Sequence, residues 1–192
     1  MITTERPEAP LPLPKLSESE IEWIIEHVRD YIERQRQVFR PGASPLHAKQ
    51  MATMQPFFPT STLHSARVVV LIEERVGNPP FYARLVQMGF DLTALPNFSL
   101  MAAITFVDTV VSHEPFTDRL LFHELVHVVQ YQRLGTAEFA AKYVKGFLSG
   151  GSYQAIPLEV NAYELDARFA AAPGKGFSVV SEVQARIDNR RF

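Results

Sequence analysis

Five consecutive residues, His123-Glu124-Leu125-Val126-His127, combine two imidazoles and a carboxylate at a spacing that suits metal chemistry. On a helix, residues four apart lie on the same face, so both imidazoles can reach one ion at about 2.0–2.1 Å. Glu124 projects from the neighbouring face, where it can take a proton from a water activated by the metal. The pattern therefore predicts that His123 and His127 are zinc ligands and that Glu124 is the general base.

A catalytic zinc site needs a third protein ligand, because it uses three such ligands and leaves one position open. The chain has no cysteine, so histidine and carboxylates are the available ligands. The residues after His127 lack the glycine and the third histidine of the metzincin extension, which excludes a metzincin. In the next acid-bearing segment, Glu159 borders the apolar side of the predicted helix, whereas Glu164 faces away from it. We predict Glu159 as the third ligand, with Glu164 as the alternative.

Helical patterns surround these residues and must position them. A capping box of Ser17 and Glu20 predicts that a first helix runs from Glu18 to Phe39. Leu121, Leu125 and Val128 form an apolar stripe beside the histidines, so the motif helix should be internal. The helices predicted after the first cover residues 79–88, 117–134, 137–148, 157–171 and 179–189.

Two short β-branched segments, residues 66–73 and 101–112, are the strand candidates. Residues 40–63 are rich in proline, serine and threonine, which predicts a long surface connection that borders a cleft. The pattern as a whole predicts an α+β fold. A proline-rich arm over residues 1–16 should precede a single domain over residues 17–192.

The two chemistry-bearing segments resemble the gluzincin metallopeptidases. HELVHVVQYQRLG is followed about thirty residues later by IPLEVNAYELDARF, which is similar to the layout in which HExxH on one helix is completed by a glutamate on the next. The similarity is strongest to largely uncharacterised bacterial HExxH domains with a Pro-Leu-Glu-x-x-Ala-Tyr segment. It covers residues 101–169. The resemblance implies one zinc per chain, held by His123, His127 and Glu159, with Glu124 as catalytic base.

The same resemblance implies a zincin-like fold, in which a small, mainly antiparallel sheet packs on the HExxH helix and further helices follow. In such proteins the strand before that helix binds an extended substrate by strand addition, a role that would fall to residues 101–112. Several gluzincins place an aspartate four residues after the ligand glutamate, where this chain has Tyr163. By position, Tyr153, Tyr163 and His113 are candidates for the donor to the oxyanion.

The bulk properties limit the partners. The formal charge of the chain is −2, which does not favour nucleic acid or an anionic membrane surface as a partner. The amino-terminal residues lack the pattern of a signal peptide, and no segment is long and apolar enough to span a membrane, so a cytoplasmic location is expected.

Three functions follow from these patterns. The leading prediction is a zinc metallopeptidase that hydrolyses a peptide or protein substrate. The alternatives are a catalytically inactive zinc-holding module with a binding, regulatory or toxin-like role, and a metal-free helical domain in which the motif is fortuitous. The oligomeric state is not predicted.

Overall fold

The computed structural model describes residues 13–192, and within them it has seven α-helices and a four-stranded mixed sheet. The α+β prediction is confirmed. Of the predicted arm over residues 1–16, residues 1–12 lie outside the described residues. The helices are α1 Glu18–Phe39, α2 Ala48–Met54, α3 Thr60–Ser65, α4 Tyr82–Gln87, α5 Asp118–Gly150, α6 Pro157–Ala171 and α7 Val179–Asp188. The strands are β1 Ser44–Pro45, β2 Arg67–Val70, β3 Ala103–Phe106 and β4 Thr109–Ser112.

Helix α1 has the predicted bounds, and its capping box is present. The Ser17 hydroxyl accepts a hydrogen bond from the backbone N–H of Glu20, and the Glu20 carboxylate accepts one from the N–H of Ser17. The two predicted helices on either side of Gly135 are the two parts of α5, because Gly135 interrupts the helical backbone with φ 75° and ψ 163°. That conformation is almost restricted to glycine.

The prediction for residues 40–63 is wrong, because this segment contributes to the core instead of forming a surface connection. It contains β1, α2 and most of α3, and its His47 and Gln50 form a capping box at the start of α2. Five of its apolar side chains are buried: Leu46, Met54, Phe57, Phe58 and Leu63. The elements are too short to produce a periodic pattern in the sequence, which is why they were not predicted.

Residues 101–112 form a hairpin of β3 and β4 rather than the single strand that was predicted. The turn places Val107 at φ 62°, and the next residue, Asp108, accepts hydrogen bonds from the Arg36 guanidinium of α1. With no glycine or proline, Asp108 is the one turn-favouring residue here, and this weak signal inside a β-branched run was not recognised. The strand predicted over residues 66–73 is present as the shorter β2.

Helix α4 is shorter than the predicted helix over residues 79–88 and begins at Tyr82. Asn78 directly precedes the predicted helix, in the position of an N-cap. It does not act as one, because its side chain accepts a hydrogen bond from the backbone N–H of Phe98. Gly89 follows the helix with a positive φ of 98°, as expected for a residue that ends a helix.

The sheet has the order β1-β2-β4-β3 and is therefore mixed, because β2 and β4 are parallel while the other two pairs are antiparallel. Strand β3 lies at the edge of the sheet and contacts both α1 and α5. Helix α5 is central, since it contacts α1, α6, α7 and β3. Among residues 13–192, no helix has the length and apolar character that crossing a membrane would need.

Phe122 of α5 is fully buried, and we expect its replacement by alanine to lower the free energy of unfolding by about 3–5 kcal/mol. Its ring stacks on Phe169 at a centroid distance of 4.5 Å and meets Phe57 and Phe58 edge-on. Urea unfolding measures the change. As a control, alanine at Val38, which is 65% exposed, should change stability by less than about 0.5 kcal/mol. A similar small loss for Phe122→Ala would contradict this core assignment.

Candidate metal centre

Three side chains from two helices bring their ligand atoms together in the core. His123 Nε2 and His127 Nε2 are 3.2 Å apart, and Glu159 Oε2 lies 3.7 Å from the first and 3.4 Å from the second. Ligand atoms that hold one zinc ion tetrahedrally, with bonds of about 2.0–2.1 Å, are separated by roughly 3.3–3.4 Å. The three separations, 3.2–3.7 Å, are within about 0.4 Å of the spacing of tetrahedral ligands.

The packing of α5 against α6 sets this spacing. The two histidines are four residues apart on α5, and Glu159 is in the first turn of α6. Gly146 lets the start of α6 approach closely, since a Cβ atom at Gly146 would lie 2.6 Å from Cδ of Pro157. Ala162 in the next turn of α6 is fully buried, and its small side chain leaves room for the helix that it packs against.

Asp166 fixes the orientation of the His123 ring. Its carboxylate accepts a hydrogen bond from His123 Nδ1 at 3.0 Å and is paired with the Arg119 guanidinium at 2.7 Å. Because an ionised carboxylate can only accept, Nδ1 carries the proton of the neutral ring. The Nε2 atom of His123 is then left with a lone pair.

Gln130 has the same effect on His127. Its amide nitrogen donates to the carbonyl of Leu158 at 3.0 Å and to Oδ1 of Asn161 at 3.1 Å. The Leu158 carbonyl can only accept, so the amide oxygen of Gln130 must face His127 Nδ1, at 2.8 Å. His127 therefore also carries its proton on Nδ1 and directs the lone pair of Nε2 towards Glu159.

These orientations leave electron-rich atoms facing one another. Two imidazole lone pairs and the Oε2 atom of Glu159 converge, and that Oε2 is buried without a hydrogen-bond partner among the described residues. Such an arrangement is costly unless a cation or a proton lies between the three atoms. The donor set of two histidines and one glutamate fits a divalent metal ion, and it matches catalytic zinc sites.

The surrounding charges also favour a cation. Burial lowers the pKa of His123, but the hydrogen bond to Asp166 and the nearby carboxylates of Glu159 and Glu124 outweigh it and raise the pKa to about 10. Without a metal ion the ring therefore takes up a second proton, which a bound ion would replace. Burial raises the pKa of Glu159, but His127 and His123 outweigh it, so that the net change is a decrease. With both histidines neutral, as metal ligands are, the carboxylates of Glu124, Glu159 and Asp166 and the Arg119 guanidinium sum to two negative charges, which one divalent ion would balance.

Glu124 lies beside the three converging atoms and is held by the edge strand. The Thr105 hydroxyl of β3 donates a hydrogen bond to Glu124 Oε2 at 2.7 Å. Glu124 is buried, as are His123, His127 and Glu159, each with 4–7% of its surface exposed. The second carboxylate oxygen of Glu124 keeps its lone pairs for a reacting proton.

The three candidates for an oxyanion donor differ in their surroundings. The Tyr163 ring lies 4.6 Å from the His123 ring, and the residue is 45% exposed. Tyr153 borders the same site as Glu159, and burial together with that carboxylate raises the pKa of Tyr153 well above its ordinary value. His113 is not available, because its Nε2 accepts from the backbone N–H of Val76 and its Nδ1 donates to a backbone carbonyl.

Glu164, the alternative third ligand, is on the outer face of α6. Its carboxylate is paired with the Arg186 guanidinium of α7 and is exposed to solvent. The remaining histidines lie away from the cluster: His27 stacks on Trp23, and His47 caps α2. Within residues 13–192, the structure places Glu159, and not Glu164, with His123 and His127 as a group of potential metal ligands.

Three of the polar residues that support this site were not predicted from the sequence. Asp166 follows Glu159 by seven residues, which is two helical turns, so the shared helical face was the available signal. Gln130 follows His127 by three residues, the spacing that brings two side chains of one helix together. Thr105 had no signal, because its position depends on the hairpin. No known protein family, curated protein or solved structure matches the chain.

Proposed function

We propose that this chain is a zinc-dependent peptidase of the gluzincin type, with one zinc ion held by His123, His127 and Glu159. The observation that carries the proposal is the convergence of the three ligand atoms, 3.2–3.7 Å apart, with the buried Oε2 of Glu159 unpaired. Two histidines and a glutamate are the ligand set of peptidases in which zinc keeps an open position. We also infer a zincin-like relation between β3 and α5.

Bound zinc supplies Lewis acidity, which acidifies a water molecule and polarises a peptide carbonyl. Glu124 takes the proton from the attacking water and returns it to the leaving amine. The hydrogen bond from Thr105 holds the Glu124 carboxylate in place, at 2.7 Å, while this proton moves. Tyr163, half-exposed beside His123, is our choice for the donor that stabilises the oxyanion.

The second candidate is a zinc-holding module that does not hydrolyse peptides. Burial of the site favours it, because His123, Glu124, His127 and Glu159 are each at most 7% exposed. The residues of β3 are also buried as a whole, main chain included, which leaves little of that strand for the addition of an extended substrate. An enzyme with this site must open to admit a peptide.

Digestion of unfolded proteins and mixed peptides distinguishes the two candidates. The peptidase predicts cleavage that a chelator abolishes and that zinc restores, with metal content measured on the same samples. Bound zinc without cleavage in any peptide mixture would favour the non-hydrolytic module. Protein purified without a histidine tag that takes up no metal, even when zinc is supplied, would refute both.

Replacing Asp166 with asparagine or Gln130 with leucine is expected to weaken zinc binding by about 10–100-fold. Asparagine has an NH2 group in place of one of the two Asp166 oxygens and no negative charge, so it cannot accept both from His123 Nδ1, now at 3.0 Å, and from Arg119. Leucine at position 130 removes the amide oxygen that lies 2.8 Å from His127 Nδ1. Competition with a chelator of known affinity measures the loss. Asp188→Asn, a change on α7 away from the site, is the control and should bind zinc as the wild type does. Unchanged affinity in Gln130→Leu would show that its amide does not orient His127.

A further inference from the structure

A largely apolar cavity of about 110 Å³ adjoins the candidate metal centre. Its walls come from four parts of the chain: α1, the segment over residues 79–101, β3, and α5 on both sides of Gly135. At one end it is bounded by Glu124, His127 and Glu159. A substrate group bound in the cavity would therefore lie next to the proposed base and two of the proposed metal ligands.

The walls are suited to an uncharged, apolar group. Side chains such as Val28, Leu85 and Phe147 form most of the surface. The phenols of Tyr131 and Tyr143 also line it, and burial raises the pKa of both well above the ordinary value, so they stay neutral. A carboxylate in this space would face the charges of the metal-centre glutamates without water, and a buried ammonium would lose its hydration.

The volume limits the size of the occupant. An apolar cavity of about 150 Å³ binds benzene, and apolar cavities of this kind also take up xenon. A space of about 110 Å³ is smaller than the cavity that binds benzene, so it suits one aliphatic side chain such as that of leucine or methionine.

We propose that this cavity is a specificity pocket that takes one aliphatic side chain, about the size of leucine or methionine, of a residue next to the bond that is cleaved. The inference rests on the proposed peptidase function. It names the substrate class as peptides with such a residue beside the cleaved bond. Because burial of a side chain of this size strengthens binding substantially, kcat/KM for leucine over aspartate at that position should differ by about 10–100-fold.

The first test uses xenon alone, so that it does not depend on zinc or on catalysis. The ¹²⁹Xe NMR signal of wild type should show saturable binding, both with bound metal and after chelation. Val28→Phe should abolish it, because the larger ring fills the cavity. Val38→Phe is the matched control on the same helix, since Val38 is 65% exposed and should leave xenon binding unchanged. No saturable binding by wild type would overturn the pocket.

The second test uses a peptide mixture randomised on both sides of the cleaved bond, with product sequencing. Wild type should prefer leucine or methionine at one position. Val28→Phe should shift this preference to alanine and valine, and Phe147→Leu, which enlarges the cavity, should extend it to phenylalanine. The same preference in all three proteins would overturn the inference.

The two tests separate this inference from the proposed function. Xenon binding without cleavage of any peptide would overturn the peptidase assignment and this substrate class with it. Cleavage by a wild type that binds no xenon would overturn the pocket alone.

Discussion

Replacing Glu124 with glutamine is expected to lower kcat/KM by about 10²–10⁴-fold while the metal is retained. Glutamine has nearly the same size and can still accept the hydrogen bond from Thr105, which now reaches Glu124 Oε2 at 2.7 Å. It has no basic oxygen, however, so it cannot take a proton from water. Glu124 is not one of the three converging ligands, and metal binding should therefore persist.

Two measurements on the same preparation test this expectation. Plasma emission gives the zinc content, and cleavage of a peptide identified with wild type gives kcat/KM. Glu138→Gln is the matched control, because Glu138 is on the same helix with a side chain that is 55% exposed. Full activity of Glu124→Gln would rule out the proposed proton transfer, and loss of metal would show that Glu124 takes part in holding the ion.

Replacing Glu159 with alanine should weaken zinc binding by at least about a hundredfold. Structural zinc sites with four ligands bind with roughly 10–16 kcal/mol, so one ligand carries on the order of 3 kcal/mol. The carboxylate that lies 3.4 Å from His127 Nε2 and 3.7 Å from His123 Nε2 would be lost. Tag-free protein should then contain little zinc after dialysis.

Glu164→Ala provides the matched control, since Glu164 is on the same helix but is paired with Arg186 on the outer face. It should keep its zinc. Retention of metal by Glu159→Ala together with loss by Glu164→Ala would reverse the choice of third ligand. Loss in both variants would indicate damage to α6, and circular dichroism of the two proteins would detect it.

Local patterns accounted for the parts of the site that depend on a single helix. The four-residue spacing of His123 and His127 determines that their side chains share a face, whatever else packs around them. The preference for Glu159 over Glu164 followed from the apolar stripe of one helix. The structure brings Glu159, His123 and His127 together, and their roles as zinc ligands stay predictions.

The parts that depend on contacts between elements were not predictable in the same way. Thr105 meets Glu124 only because residues 101–112 turn back on themselves, and Val107 at the turn is not a residue that signals one. The segment over residues 40–63 was misjudged because helices of six or seven residues are too short to show a period. Their burial depends on a distant partner, Phe122 of α5.

The pairing of α5 with α6 has a consequence for stability. Residues 128–158 form a closed loop between His127 and Glu159, and folding alone brings the ends of this loop together. An ion bound to both ends acts as a cross-link in a chain that has no cysteine for a disulfide. By linkage, an ion at a thousand times its dissociation constant adds about 4 kcal/mol to the folded state. The metal would then be part of the architecture as well as of the chemistry.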